Sequence, residues 1–179
     1  MLQVTAAALL LLVIQCQAKD VQPQKDFDMN KYAGRWYGII AASNCPMFNE
    51  MKKGMKRPLI VYATDGHTVK NSVAFMGPKG CQQMDFSLES VSSGHYKYHS
   101  PQGDNEVIMV GSDYHSFSME FMKSVHDGKP CMTINLNGRG KNVPDDIKKQ
   151  FIDHIKEMGL TPDDTFMIPD GDECIPKGI

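Results

Sequence analysis

The chain of 179 residues is poor in tryptophan, with Trp36 alone, and carries almost no net charge, −2 at neutral pH. Near-neutrality removes the electrostatic footprint that nucleic-acid binding needs and leaves no polybasic surface for a membrane. The one basic cluster, Lys52, Lys53, Lys56 and Arg57, is short and reads as a solvated face. Cysteines are few and widely spaced, and no histidine lies near them at ligand spacing, so no metal site is expected, zinc in particular. There is no internal repeat, no low-complexity tract and no long linker. Long apolar runs are also missing: the only one, Leu2 to Ile14, falls short of the roughly 20 residues of a membrane-spanning helix.

That run has the shape of a signal peptide, with the small residue Ala18 just before Lys19 and Asp20, although its charged start is supplied only by the α-amino group. The expectation is a leader over residues 1–18, an extracellular destination, and a single domain over residues 19–179. At about 160 residues such a domain buries a core without the help of a metal. Cys45, Cys81, Cys131 and Cys174 remain, an even number that reads as a disulfide framework in an exported chain. Counting alone allows three pairings.

Short strand-like segments dominate the rest. Candidates are Arg35 to Ala42, Leu59 to Ala63, Thr68 to Phe75, Gln82 to Glu89, Tyr96 to His99, Glu106 to Gly111, Phe117 to Lys123 and Met132 to Asn137. Turn signals such as Asp65-Gly66, Gly77-Pro78, Ser93-Gly94 and Asp127-Gly128 separate several of them. Met84, Phe86 and Leu88 alternate with polar residues, as do Phe117, Met119 and Phe121, and Met132, Ile134 and Leu136, so each segment has one apolar and one wet face. Eight such strands must hide their edges, and closure into an all-β, antiparallel, up-and-down barrel does so. The period changes after Val143. Ile147, Phe151, Ile155 and Met158 mark an amphipathic α-helix from about Asp145 to Met158, stopped by Gly159 and expected to pack outside the barrel.

With these elements placed, the chain resembles the lipocalin family. Asn30-Lys31-Tyr32-Ala33-Gly34-Arg35-Trp36-Tyr37 is similar to that family's first signature, Ser112-Asp113-Tyr114 to the second, with serine where threonine is usual, and Arg139 to the arginine of the third. Ala42-Ser43-Asn44, the Asp113-Tyr114 loop and Met167-Ile168-Pro169 followed by Cys174 resemble the vertebrate branch that contains lipocalin-type prostaglandin D synthase and its non-enzymatic relatives. The resemblance implies a calyx whose closed end is built by Gly34, Trp36, Asp113, Tyr114 and Arg139. In physical terms, Gly34 suits a tight entry, Trp36 plugs the barrel and Arg139 lies over the indole.

If the first and last strands close the barrel as antiparallel neighbours, the positions of facing residues sum to a nearly constant value. The sum for Trp36 with Arg139 and that for Cys45 with Cys131 differ by one. A Cys45–Cys131 bond at the open end is therefore expected. Cys81 then pairs with Cys174 by elimination, which the resemblance also implies.

The expected ligand-binding lining is Ile40, Ala42, Val73, Phe75, Met84, Phe86, Leu88, Tyr96, Tyr98, Met109, Phe117, Met119, Phe121, Met132 and Ile134, with Trp36, Gly38, Val107 and Leu136 also inward. Gly38 and Ala42 would leave volume unfilled, and the methionines would line it adaptably. Lys70, His99 and Arg57 are candidate partners for a ligand head group. These features point to carriage of a small hydrophobic molecule, such as a fatty acid, retinoid or steroid, with broad preference and sub-micromolar to micromolar affinity. No cofactor and no catalytic residue is expected. No Ser-His-Asp arrangement is recognisable, and Asp145 and Asp146 read as a helix start.

The branch offers an isomerase alternative that uses a cavity thiolate near the second strand. The corresponding stretch here, Lys53-Gly54-Met55-Lys56-Arg57-Pro58, holds no cysteine. Action through protein contact or siderophore binding is a third class, and it leaves a cell-surface receptor open as a partner. A monomer or weak dimer is expected.

Overall fold

A single antiparallel sheet closes on itself in the computed structural model, which describes residues 21–77 and 79–177; the expected leader over 1–18 lies outside them. Its strands are β1 (Gly34–Ser43), β2 (Leu59–Thr64), β3 (Val69–Gly77), β4 (Gly80–Ser92), β5 (His95–Ser100), β6 (Gly103–Ser112), β7 (Phe117–His126) and β8 (Lys129–Gly138). β1 reaches β2 through a longer connection, whereas from β2 to β8 consecutive strands pair through short turns. The Asp65 carboxylate caps one such turn by accepting the N–H groups of His67 at 2.9 Å and Thr68 at 2.7 Å. Closure falls to β1, whose residues Gly34 to Tyr37 pair with β2 while Tyr37 to Ser43 pair with β8. Beyond that point a ninth strand, β9 (Thr165–Met167), takes the place beside Ile40 to Ala42.

Two short helices, α1 (Met29–Tyr32) and α2 (Pro46–Met51), flank β1, and α3 (Asp145–Glu157) lies against the outside of the barrel. Phe151 and Ile155 of α3 are buried and Ile147 partly so, packed among Met119, Phe121, Ile134 and Leu136 of β7 and β8 and Ile40 and Ala42 of β1. This placement reverses the phase expected for those strands. Phe117, Met119, Phe121, Met132, Ile134, Leu136, Ile40 and Ala42 face outward, because α3 needs an apolar surface beneath it. The opposite faces of β7 and β8, with Glu120, Met122, Ser124, Thr133, Asn135 and Asn137, turn into the barrel.

On β1 the cause is a bulge. The pairing with β8 steps from Gly38–Asn137 to Ile40–Leu136, so Ile39 is an extra residue, and the inward side passes from Trp36 and Gly38 to Ala41. Gly38 borders the cavity with Pro58 packed beside it, and an added Cβ would come within 2.7 Å of the Pro58 ring.

The closed end is built around Trp36, which is fully buried. Its indole stacks on Tyr32 with ring centres 4.8 Å apart and donates Nε1–H to the Tyr32 carbonyl at 2.9 Å. The Arg139 guanidinium lies 3.8 Å from the Trp36 ring centre, and a side chain at Gly34, whose φ is +103°, would press on it. In the loop after β6, the Asp113 carboxylate accepts the N–H groups of His115, Ser116 and Phe117, and the Ser116 hydroxyl also donates to it. Burial raises the Asp113 pKa, but these hydrogen bonds outweigh burial and lower it to about 2.

At the other end Cys45 is joined to Cys131, and Cys81 of β4 is joined to Cys174 of the tail, with Cα separations of 5.0 and 5.5 Å.

Candidate functional site

Between the Trp36 plug and the opening lies a cavity of about 320 Å³, at the small end of the range for ligand pockets. One wall is apolar. Ile60 of β2, Val73 and Phe75 of β3 and Met84, Phe86 and Leu88 of β4 point inward, because the outer side of this wall carries Lys70, Asp85, Ser87 and Glu89, which are exposed. The facing wall, on β6 to β8, carries Asn105, Glu120, Ser124, Thr133, Asn135 and Asn137, with Val107 and Met122 among them. Helix α2 stands over the mouth. Its Phe48 is buried against the edge of Phe166, while Met47 and Met51 border the cavity and are partly open to solvent.

Of the residues expected to line the cavity, Val73, Phe75, Met84, Phe86, Leu88, Tyr98 and the inward Val107 border it. Tyr96 and Met109 are interior but sit lower, in the packed layer with Trp36 and Tyr32. Gly38 also borders the cavity and Trp36 is the plug, whereas Ile40, Ala42, Phe117, Met119, Phe121, Met132, Ile134 and Leu136 belong to the outer face that packs with α3. The three candidate cations are elsewhere: Lys70 is exposed, His99 faces Asp104 at 2.8 Å on an exposed edge, and Arg57 reaches the Gly38 carbonyl and Asp170, both at 3.4 Å. Among the described residues lining the cavity there is no lysine or arginine.

The floor holds a polar network. Glu120 is 3% exposed, and its Oε1 accepts the hydroxyls of Tyr32 at 2.5 Å and Tyr62 at 3.0 Å. The Tyr32 oxygen is 2.8 Å from the Ser118 hydroxyl, which also accepts from the Asn137 amide at 3.5 Å. Burial pushes the Glu120 carboxyl above its usual range, against hydrogen bonds from Tyr32, Tyr62 and Asn137 that favour the ionised form. The Tyr32 and Tyr62 phenols are pushed well up, first by burial and then by the Glu120 charge. Sequence reasoning missed Tyr62, Asn71, Asn105, Glu120 and Asn137. Ile60 and Tyr62 share a strand face that the sequence shows but does not orient, whereas Glu120 and Asn137 belong to faces that look like solvent faces.

Among the described residues no group of His, Cys, Asp and Glu is placed to hold a metal, and no helix is long and apolar enough to cross a membrane.

A closed barrel, plugged at one end and open at the other around an internal cavity, defines a calyx capable of binding small hydrophobic molecules. Residues 33–172 match the Lipocalin / cytosolic fatty-acid binding protein family, and the chain belongs to that family. It is 41% identical over 172 residues to "Olfactory protein" of Lithobates pipiens, covering 96% of this chain and 97% of that one. It is 28% identical over 158 residues to "Prostaglandin-H2 D-isomerase" of Mus musculus, covering 85% and 83% respectively. A solved structure described as "The Siderocalin Ex-FABP functions through dual ligand specificities" superposes with a TM-score of 0.70 at 25% identity, over 79% of this chain and 96% of that one.

Proposed function

We propose that this protein carries a small lipophile outside the cell, in the cavity above Trp36, and performs no isomerase chemistry on it. The observation that carries the reading is the cavity itself, closed below by the plug and walled on one side by Ile60, Val73, Phe75, Phe86 and Leu88. Among the described residues every cysteine sulfur is in a disulfide, which supports carriage over thiolate catalysis. The absence of lysine and arginine from the described lining supports a lipophile over a siderophore, whose anionic complex needs converging cations. The relative named "Olfactory protein", matched along nearly its whole length, is compatible with a small cargo, and two disulfides suit an oxidising, extracellular setting.

The test is titration of delipidated protein with primary alcohols of increasing chain length, followed by Trp36 fluorescence and calorimetry. Saturable binding should tighten by about 0.8 kcal/mol per methylene until the cavity is full. Absence of saturable binding along the whole series overturns the reading.

A further inference from the structure

We infer that the cavity floor selects a lipophile whose head group is a protonated amine, seated against Glu120, and discriminates against carboxylates. This rests on the carrier reading and names the ligand class for the same cavity.

Glu120 is buried yet borders the cavity, and its two phenol partners converge on the same oxygen, Oε1, which leaves Oε2 outside that pair. Among the described residues no ion pair involves this carboxyl. The nearby guanidinium, that of Arg139, gives its N–H groups to the carbonyls of Lys31, Tyr32, Arg35 and Tyr114 at 2.9 to 3.1 Å. A buried carboxylate without a cation is costly to ionise.

A second observation points the same way. Asn137, 1% exposed, borders the cavity with its Oδ1 unpartnered, and Asn71, 7% exposed, borders it with its Nδ2 unpartnered. Native interiors satisfy such atoms, so an unpartnered pair around a cavity marks a place for a polar group brought from outside. On β7 and β8, Ser118 and Asn137 are register partners and Glu120 is two residues further along the same inward face, so the carboxyl and the Asn137 acceptor belong to one patch.

Three head groups fare differently there. An ammonium brings three N–H donors and the missing positive charge, which lets the carboxyl ionise and gives Asn137 Oδ1 a donor. A hydroxyl brings one donor and no charge. A carboxylate brings a negative charge into a buried floor whose described lining holds no lysine or arginine to offset it, so it is left desolvated with the Asn71 amide as the spare donor.

The experiment compares decylamine, decanol and decanoate, each below its micelle concentration, on the delipidated, disulfide-bonded protein and on Glu120→Gln. In the wild-type protein decylamine should bind about tenfold or more tighter than decanol, and decanoate weaker than decanol, the scale of a charge-assisted hydrogen bond. In Glu120→Gln the ratio of decylamine to decanol affinity should fall to within a few-fold of one, with a cooperative thermal melt reporting that the variant is folded. The wild-type comparison stands alone if the variant does not fold. Decanoate binding as tightly as decylamine, or an amine advantage unchanged in Glu120→Gln, overturns the inference while leaving the carrier reading intact. Failure of all three probes to bind the wild-type protein overturns the carrier reading itself.

Discussion

Arg139 lies across the face of Trp36, its guanidinium carbon 3.8 Å from the ring centre, and its four N–H hydrogen bonds go to backbone carbonyls of three chain segments. The pair stitches α1, the start of β1 and the loop after β6 together beneath the barrel. The stacked Tyr32 then passes from this plug up to Glu120, so the structural floor and the polar end of the cavity are one assembly.

Removing either member of the plug should therefore destabilise the fold more than it changes binding. Trp36→Ala should cost about 3 to 5 kcal/mol, the usual penalty for a buried large aromatic, and Arg139→Ala about 2 to 4 kcal/mol through lost charge-assisted hydrogen bonds. Urea denaturation measures both. Ligand preference measured by calorimetry on the folded Arg139→Ala fraction should stay the same.

The reversed phase of β7 and β8 separates core from lining. Phe151→Ala, on the barrel-facing side of α3, should cost about 3 to 5 kcal/mol and leave chain-length preference unchanged. Phe86→Ala, on the cavity wall beside Tyr98, should cost less stability and move the preferred ligand toward longer or bulkier chains. Denaturation curves paired with an alcohol series distinguish the two.

Acid should weaken the closed end through Asp113. Its folded pKa, about 2, lies below the ordinary value of about 3.9, so the stabilisation is complete above the ordinary value and is lost as pH falls through about 2. The shift is nominally worth ~2 kcal/mol, and solvent screening around an exposed carboxylate reduces it to ~1 kcal/mol. Asp113→Asn should lower stability by that amount at pH 7 and flatten the dependence between about pH 4 and 2, as read from melting temperatures across that range.

The two disulfides should differ in what they protect. Each spans a similar stretch, 86 residues for Cys45–Cys131 and 93 for Cys81–Cys174, so on chain-entropy grounds the paired serine substitutions should each cost roughly 4 kcal/mol. Cys45 and Cys131 border the cavity. Losing that bond should also weaken alcohol binding, whereas losing Cys81–Cys174 should affect affinity little once stability is restored by lower temperature.

The eight barrel strands and the amphipathic helix with its Ile147, Phe151 and Ile155 stripe were legible because each rests on local information: turn residues, period two and period three to four; the short β9 was not. The Trp36 and Cys45 register comparison was legible as well. The one-residue difference between its two sums is the bulge at Ile39, present in the numbers as an irregularity whose place they could not give. What tertiary structure alone decided is which face of a two-faced strand turns inward. Alternation along β7 and β8 is the same whichever face is interior, and the rule that apolar faces point inward fails where a helix covers the outside. Docking α3 draws Phe121 and Ile134 outward, and this forces Glu120 and Asn137 into the barrel. The polar floor is thus a consequence of a contact between segments far apart in the chain, and no local pattern encodes it.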